Sequence, residues 1–296
     1  MFESASASAS FPSWLLIVAI LFVVGAVLIK LLTLFPETGK LADELWPVYR
    51  FELMIVGIFL ISLQVPEIVL ALLLSLFVYR ASFEIDSLLK LGLKKFTYVI
   101  LAFCPMVFWL NVNLAIGLAG VVVTSIFVVT WKKHRPLLWQ AVFLYSIIIF
   151  FVFSYFDVLQ SSEGVWLLIG LYLILETHDA FAYVVGKAFG RHQMAPRISP
   201  KKTWEGTLGG GGIALIAGYA FLFFLLSIDH IKALYISLAV LVFGVVGDLL
   251  FSLIKRSVNE KDFPSIHYSS GGLLDIYDAL IFSTPLLALA LYIGLV

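Results

Sequence analysis

The chain has 296 residues, of which 62% are apolar and 13% charged, and its mean hydropathy is +1.06. Soluble domains are usually about 45–50% apolar and about 25% charged, so no water-soluble fold could hide this much apolar surface. The formal net charge is zero, which leaves no global field for a nucleic-acid partner and makes charge effects local.

A spanning helix needs about 20 mostly apolar residues, and about ten such runs follow one another. They lie near 13–35, 48–64, 66–80, 96–110, 113–130, 138–158, 164–186, 207–228, 231–254 and 279–296. The first follows Met1-Phe2-Glu3-Ser4 without a basic segment and reads as a retained helix rather than a signal peptide. The fourth contains Cys104, the only cysteine, within Ala102-Phe103-Cys104-Pro105-Met106. It reads as a small buried hydrophobe, which excludes disulfides and thiolate metal sites.

Positive charge sets the expected orientation, because short loops rich in Lys and Arg stay cytoplasmic. Lys40 with Arg50, Arg80 with Lys90, Lys94 and Lys95, then Lys132, Lys133 and Arg135 fall in alternate loops of the ten-helix count. So do Lys187, Arg191, Arg197, Lys201 and Lys202, and later Lys255, Arg256 and Lys261. Both termini come out external, and the polar motifs face the cytoplasm. The expected fold is an all-α, polytopic membrane protein. Residues 1–160 form N-terminal transmembrane helices and 161–296 a C-terminal catalytic region, in one continuous membrane domain with no linker or repeat.

Polar residues gather in two windows. In the first, Glu176-Thr177-His178-Asp179 precedes Ala182-Tyr183 and Gly186-Lys187. An ionisable group within a membrane costs about 2.5–3.5 kcal/mol on insertion scales, so Asp179 needs a partner or a function. His178 reads equally well as a satisfied interfacial histidine. Next comes Ser199-Pro200-Lys201-Lys202-Thr203-Trp204-Glu205-Gly206, leading into a span opened by Gly209-Gly210-Gly211-Gly212. Two lysines and two hydroxyls at a helix start suit phosphate oxygens, although lysines here also serve as a positive-inside anchor. The glycine run reads as a surface for close helix packing.

In the second window, Asp248, Ser252, Lys255 and Arg256 are spaced by four, three and one. On a helix this spacing brings an acid, a hydroxyl and two cations to one face. Lys261-Asp262 opens a loop, and Gly271-Gly272-Leu273-Leu274-Asp275-Ile276-Tyr277-Asp278 begins the last span, with Asp275 and Asp278 three apart and so on a shared helical face. Aspartates that converge with lysines and hydroxyls suit Mg²⁺, which takes oxygen ligands from one or two carboxylates plus substrate phosphates. That arrangement serves phosphoryl or nucleotidyl transfer. The competing transporter reading expects acids at mid-membrane and an inverted repeat, and the sequence has neither.

From Asp179 to Asp278 these four pieces, in order and in register, resemble the phosphatidate cytidylyltransferases, or CDP-diacylglycerol synthases. The resemblance covers roughly a third of the chain and implies transfer of a cytidylyl group from CTP to phosphatidate or a related acidic phospholipid, with Mg²⁺ as cofactor and pyrophosphate as second product. It implies Asp248 and Asp275 as metal carboxylates, with Asp278 and Asp179 in support. Lys201, Lys202, Lys255, Arg256 and Lys261 would bind phosphates, and Ser199, Thr203 and Ser252 would position them, with Asp248, Asp275, Lys255 and Arg256 forming the catalytic set. Membrane lipids are the other partners, and a homodimer is compatible with the reading. Two alternatives stand beside it: a CTP-dependent lipid kinase and a catalytically silent membrane scaffold. The chain departs from the family pattern in the fourth piece, with Ser270 for a histidine, Tyr268-Ser269 for Pro-Gly, and Ile276 for an arginine. An isoleucine cannot pair with phosphate, and His267 is the nearest residue that could compensate.

Overall fold

The computed structural model describes residues 30, 39–111, 120, 123, 124, 127, 137–265 and 271–295. These fall into two compact units that part between Gln64 and Val65. The first holds helix α1 (Gly39–Ser62). In the second, α2 (Glu67–Leu89), α3 (Lys95–Ala102), α4 (Cys104–Leu110), α5 (Leu138–Gln160) and α6 (Gly164–Phe189) come first. A hairpin, β1 (Gln193–Ala195) and β2 (Ser199–Thr203), leads to α7 (Trp204–Ala220), α8 (His230–Ser257), the single turn α9 (Leu273–Ile276) and α10 (Asp278–Tyr292).

Among the described residues, five helices are long and apolar enough to cross a membrane: Glu67–Leu89, Trp139–Gln160, Gly164–Phe189, Trp204–Leu225 and His230–Ser257. Leu53–Ser62, Lys95–Leu110 and Asp278–Tyr292 are shorter apolar helices. The protein is therefore an all-α, polytopic membrane protein. Together these helices follow eight of the ten predicted runs in order. The runs at 13–35 and 113–130 lie almost wholly outside the described residues. Large apolar side chains such as Leu76, Ile216 and Phe224 are exposed, as lipid-facing positions must be. The core of the second unit is built from α2, α5, α6, α8 and α10, with Leu144, Phe156, Leu167, Phe251 and Ile281 buried within it.

The structure corrects four local expectations. The run predicted to end at residue 80 continues to Leu89, so Arg80 lies inside a helix rather than in a loop. It can do so because its guanidinium pairs one turn on with Glu84 at 2.7 Å, while Asp86 accepts the Leu93 N–H at 3.0 Å and the Tyr98 hydroxyl. The 96–110 run breaks at Phe103, because Pro105, in the first turn of α4, has no N–H to continue a helical ladder. The Ser199–Thr203 motif is a strand of an antiparallel hairpin, with Gln193 opposite Thr203 and Ala195 opposite Ser199. Finally, Tyr277 separates α9 from α10, so Asp275 and Asp278 occupy two helices instead of one face.

Helices α6 and α7 pack backbone to backbone, and small residues make it so. A Cβ added at Gly206 would lie 2.6 Å from the Ala182 carbonyl oxygen and 3.0 Å from Gly186 Cα, and one added at Gly210 would meet the Ala182 backbone. Ala182 and Gly186 thus face Gly206 and Gly210, small residues four apart on both helices, which is how membrane helices bring backbones together. The glycine run packs helices, as expected from the sequence. Gly206→Ala should force α6 and α7 apart and lower stability by about 1–3 kcal/mol. Thermal unfolding in detergent should show a depressed midpoint, whereas Gly212→Ala, inside α7 with nothing within 4 Å, should hold or slightly raise it, since alanine favours a helix over glycine.

Candidate active site

Close approach of α6 and α7 brings the end of the hairpin against α8. Thr203 caps α7, its Oγ1 accepting the Gly206 N–H at 3.1 Å. One residue back, Lys202 donates its ammonium to Asp248 on α8. Side chains on a strand alternate, so Lys201 faces the other way and is exposed. Burial pushes the Lys202 ammonium below the usual lysine range, and the carboxylates of Asp179 and Asp278 oppose that shift.

On α8 the four-and-three spacing does what the sequence predicts for three of its four residues. Asp248 Oδ1 accepts from Ser252 Oγ at 3.4 Å, and Lys255, one turn further, reaches Asp275 Oδ1 at 2.5 Å in a buried pair. Arg256 turns away. Its Nε donates to the Ile198 carbonyl at 3.0 Å and its Nη1 to the Glu260 carbonyl at 3.0 Å, bracing the hairpin turn.

Asp275 is the most heavily engaged acid of the group. Its Oδ2 accepts the backbone N–H of Phe263 at 2.7 Å and of Gly272 at 2.8 Å, while Lys255 holds the other oxygen. The paired glycines follow from this geometry. A side chain on Gly271 would collide with the Asp275 carboxylate, and one on Gly272 would place its Cβ 2.6 Å from Phe263 Cβ. Asp278 is buried at the start of α10, where its Oδ1 accepts the Ala279 N–H at 2.6 Å.

These groups open onto one polar cavity of about 250 Å³. Asp179 from α6, Asp248 and Lys255 from α8, Asp275 from α9 and Asp278 from α10 all line it. The break at Tyr277 therefore separates Asp275 and Asp278 in secondary structure without separating them in space. Glu176 and Asp262 also line the cavity, and sequence reasoning missed both. Glu176 lies three residues before Asp179 on α6, and that helical spacing was the available signal. Ile276 is part of the wall, so the departure from the family's arginine falls inside the site. His267, Tyr268, Ser269 and Ser270 lie outside the described residues.

Other expected site residues stand apart from the cavity. Lys261 is exposed and lies 3.8 Å from its neighbour Asp262. Ser199 pairs within the hairpin, and Thr203 serves as a cap. His178 is buried, its Nδ1 3.1 Å from Asp179 Oδ1. Among the described residues, no three Asp, Glu, His or Cys side chains converge closely enough to form a metal-binding group. The donor set at the cavity is nonetheless all carboxylate oxygen, which suits a hard divalent cation.

Fold and site together define a polytopic membrane protein with a carboxylate-rich cavity and two ammonium groups at the meeting point of four helices. The Cytidylyltransferase family matches residues 48–294, most of the chain, and the protein belongs to that family. Three similar proteins carry the name phosphatidate cytidylyltransferase. That of Aquifex aeolicus is 36% identical over 166 residues, covering 55% of this chain and 58% of the relative. That of Haemophilus influenzae is 34% identical over 166 residues, covering 52% and 57%. That of Bacillus subtilis is 38% identical over 147 residues, covering 49% and 55%. The chain thus spans little more than half the length of each of these relatives.

Proposed function

We propose that the protein transfers a cytidylyl group from CTP to phosphatidate, giving CDP-diacylglycerol and pyrophosphate. The observation that carries this reading is the convergence of Asp179, Asp248, Asp275 and Asp278, from α6, α8, α9 and α10, on one cavity that also receives Lys255, with Lys202 beside Asp248. Family membership and the names of the relatives support it.

A phosphate oxygen of phosphatidate attacks the α-phosphorus of CTP. The new O–P bond forms as the α–β anhydride bond breaks, and the electron pair leaves with pyrophosphate. That oxygen is already anionic at neutral pH, so no general base is needed. Asp248 and Asp275, with Asp278 in support, would hold Mg²⁺ together with phosphate oxygens of the substrate, and the bound ion would neutralise triphosphate charge and stabilise the leaving group. Lys255 and Lys202 supply fixed positive charge beside the carboxylates, and hydrogen bonds from Ser252 and from the Phe263 and Gly272 N–H groups keep Asp248 and Asp275 oriented before substrate arrives. The alternating basic loops support a cytoplasmic opening, with lipid entering sideways from the bilayer of a bacterial inner membrane.

The test is formation of CDP-lipid and pyrophosphate by purified protein in mixed micelles with CTP, phosphatidate and Mg²⁺. Stoichiometric appearance of both products is expected. Release of CDP with a phosphorylated lipid would instead make the protein a lipid kinase, and absence of turnover on any acidic phospholipid would overturn the reading.

A further inference from the structure

Helix α2 takes no part in the cavity, yet it carries a charged pair whose hydrogen bonds are spent on the segments that do. Glu84 is fully buried. Its Oε1 accepts Arg80 Nε at 2.7 Å and the Leu273 N–H at 2.8 Å, and its Oε2 accepts the Leu274 N–H at 2.9 Å. Arg80 Nη2 donates to the Pro264 carbonyl at 2.7 Å and to the Ser265 carbonyl at 3.2 Å. The pair therefore grips two stretches of backbone: one just after Phe263, the other beginning just after Gly272. Phe263 and Gly272 are the residues whose N–H groups orient Asp275.

A second, independent feature points the same way. A Cβ at Gly272 would lie 2.5 Å from Glu84 Oε2, so that glycine admits the carboxylate from α2 as well as the fold of its own turn. Phe77, two turns before Glu84, also places its ring edge-on against Tyr277 at 6.1 Å. A buried carboxylate in a membrane helix is costly unless fully hydrogen-bonded, and beyond Arg80 the partners that satisfy this one are the Leu273 and Leu274 N–H groups.

We propose that Arg80 and Glu84 are positioning residues for the cytidylyl-transfer site: from α2 they hold Pro264–Ser265 and Leu273–Leu274 so that Asp275 faces the cavity. This rests on the proposed function for its consequence in catalysis but not for its structural content. A glutamine at 84 offers a single oxygen, and its amide N–H₂ would face a backbone N–H or the guanidinium, donor against donor. Arg80→Lys keeps the charge beside Glu84 while losing the fork that also reaches the carbonyls.

The experiment compares full-length parent, Glu84→Gln and Arg80→Lys in detergent by two readouts. The first is amide hydrogen exchange. Glu84→Gln should speed exchange across Phe263–Ser265 and Gly271–Asp278 at least tenfold, with parental rates in α6, α7 and α8. Arg80→Lys should do so more weakly and mainly at Phe263–Ser265. The second is kinetics: kcat should fall roughly thirtyfold in Glu84→Gln and roughly fivefold in Arg80→Lys, with KM for CTP changed less than threefold. Parental exchange at Gly271–Asp278 in Glu84→Gln overturns the proposal. So does accelerated exchange spread evenly through the protein, or parental kcat despite local loosening. If the parent itself makes no CDP-lipid, the functional reading falls, and the exchange comparison alone still decides whether the pair holds the segment.

Discussion

Asp275→Asn should abolish transfer and also weaken the fold, because this carboxylate has two tasks that an amide cannot perform together. One oxygen gathers the Phe263 and Gly272 N–H groups, and the other faces the Lys255 ammonium at 2.5 Å. An asparagine can offer its single oxygen to only one side. If that oxygen stays with the backbone donors, its N–H₂ confronts Lys255, and a buried ammonium is left without its counter-charge. Side-chain exposure is 8% for Lys255 and 12% for Asp275, so water gives little relief. Removing one partner of a buried pair costs about 3–5 kcal/mol. The retained backbone bonds place this variant near the lower figure. Thermal unfolding in detergent should show a clear drop in midpoint, and CDP-lipid formation should be undetectable. A Lys255→Met, Asp275→Asn double variant should recover much of the stability and none of the activity, since the unpaired charge is gone but the carboxylate is still missing.

Asp248→Asn separates the two effects. Its partner Lys202 and Asp248 itself are each about a quarter exposed, 25% and 24%, and Lys202 also feels the carboxylates of Asp179 and Asp278. Loss of one neighbour therefore leaves the ammonium partly compensated, and the stability cost should be well below that of Asp275→Asn. The chemical cost is larger, because this carboxylate lines the cavity and holds both a lysine and Ser252. We expect kcat/KM to fall on the order of 10³-fold, with a thermal midpoint close to that of the parent. Retention of more than a tenth of parental turnover would remove Asp248 from the reaction.

Much of the site was legible because it is local. Asp248, Ser252 and Lys255 repeat at helical spacing, and α8 places them as that spacing requires. Arg256 is the exception: it is one residue beyond Lys255, about 100° further round the helix, and that step turns it from the cavity to the hairpin. Sequence alone does not distinguish Lys201 from Lys202, because a segment leading into a helix imposes no fixed alternation of side chains. The hairpin separates them, since a strand sends neighbours to opposite sides.

Composition alone settled that the chain lives in a membrane, because apolar surface on this scale has no other solvent. Long apolar runs located most of the helices, and the glycine run at 209–212 pointed to close helix packing without naming its partner. No sequence pattern connects Glu84 to Leu273 and Leu274, or Asp275 to Phe263. The partners there are backbone N–H groups, which every residue but proline possesses, so nothing in the side-chain alphabet records them. Asp179, Asp248 and Asp278 became one cavity only when α6, α8 and α10 packed together. That convergence depends on contacts between residues far apart in the chain, and it is there that an ordinary run of apolar helices acquires a site.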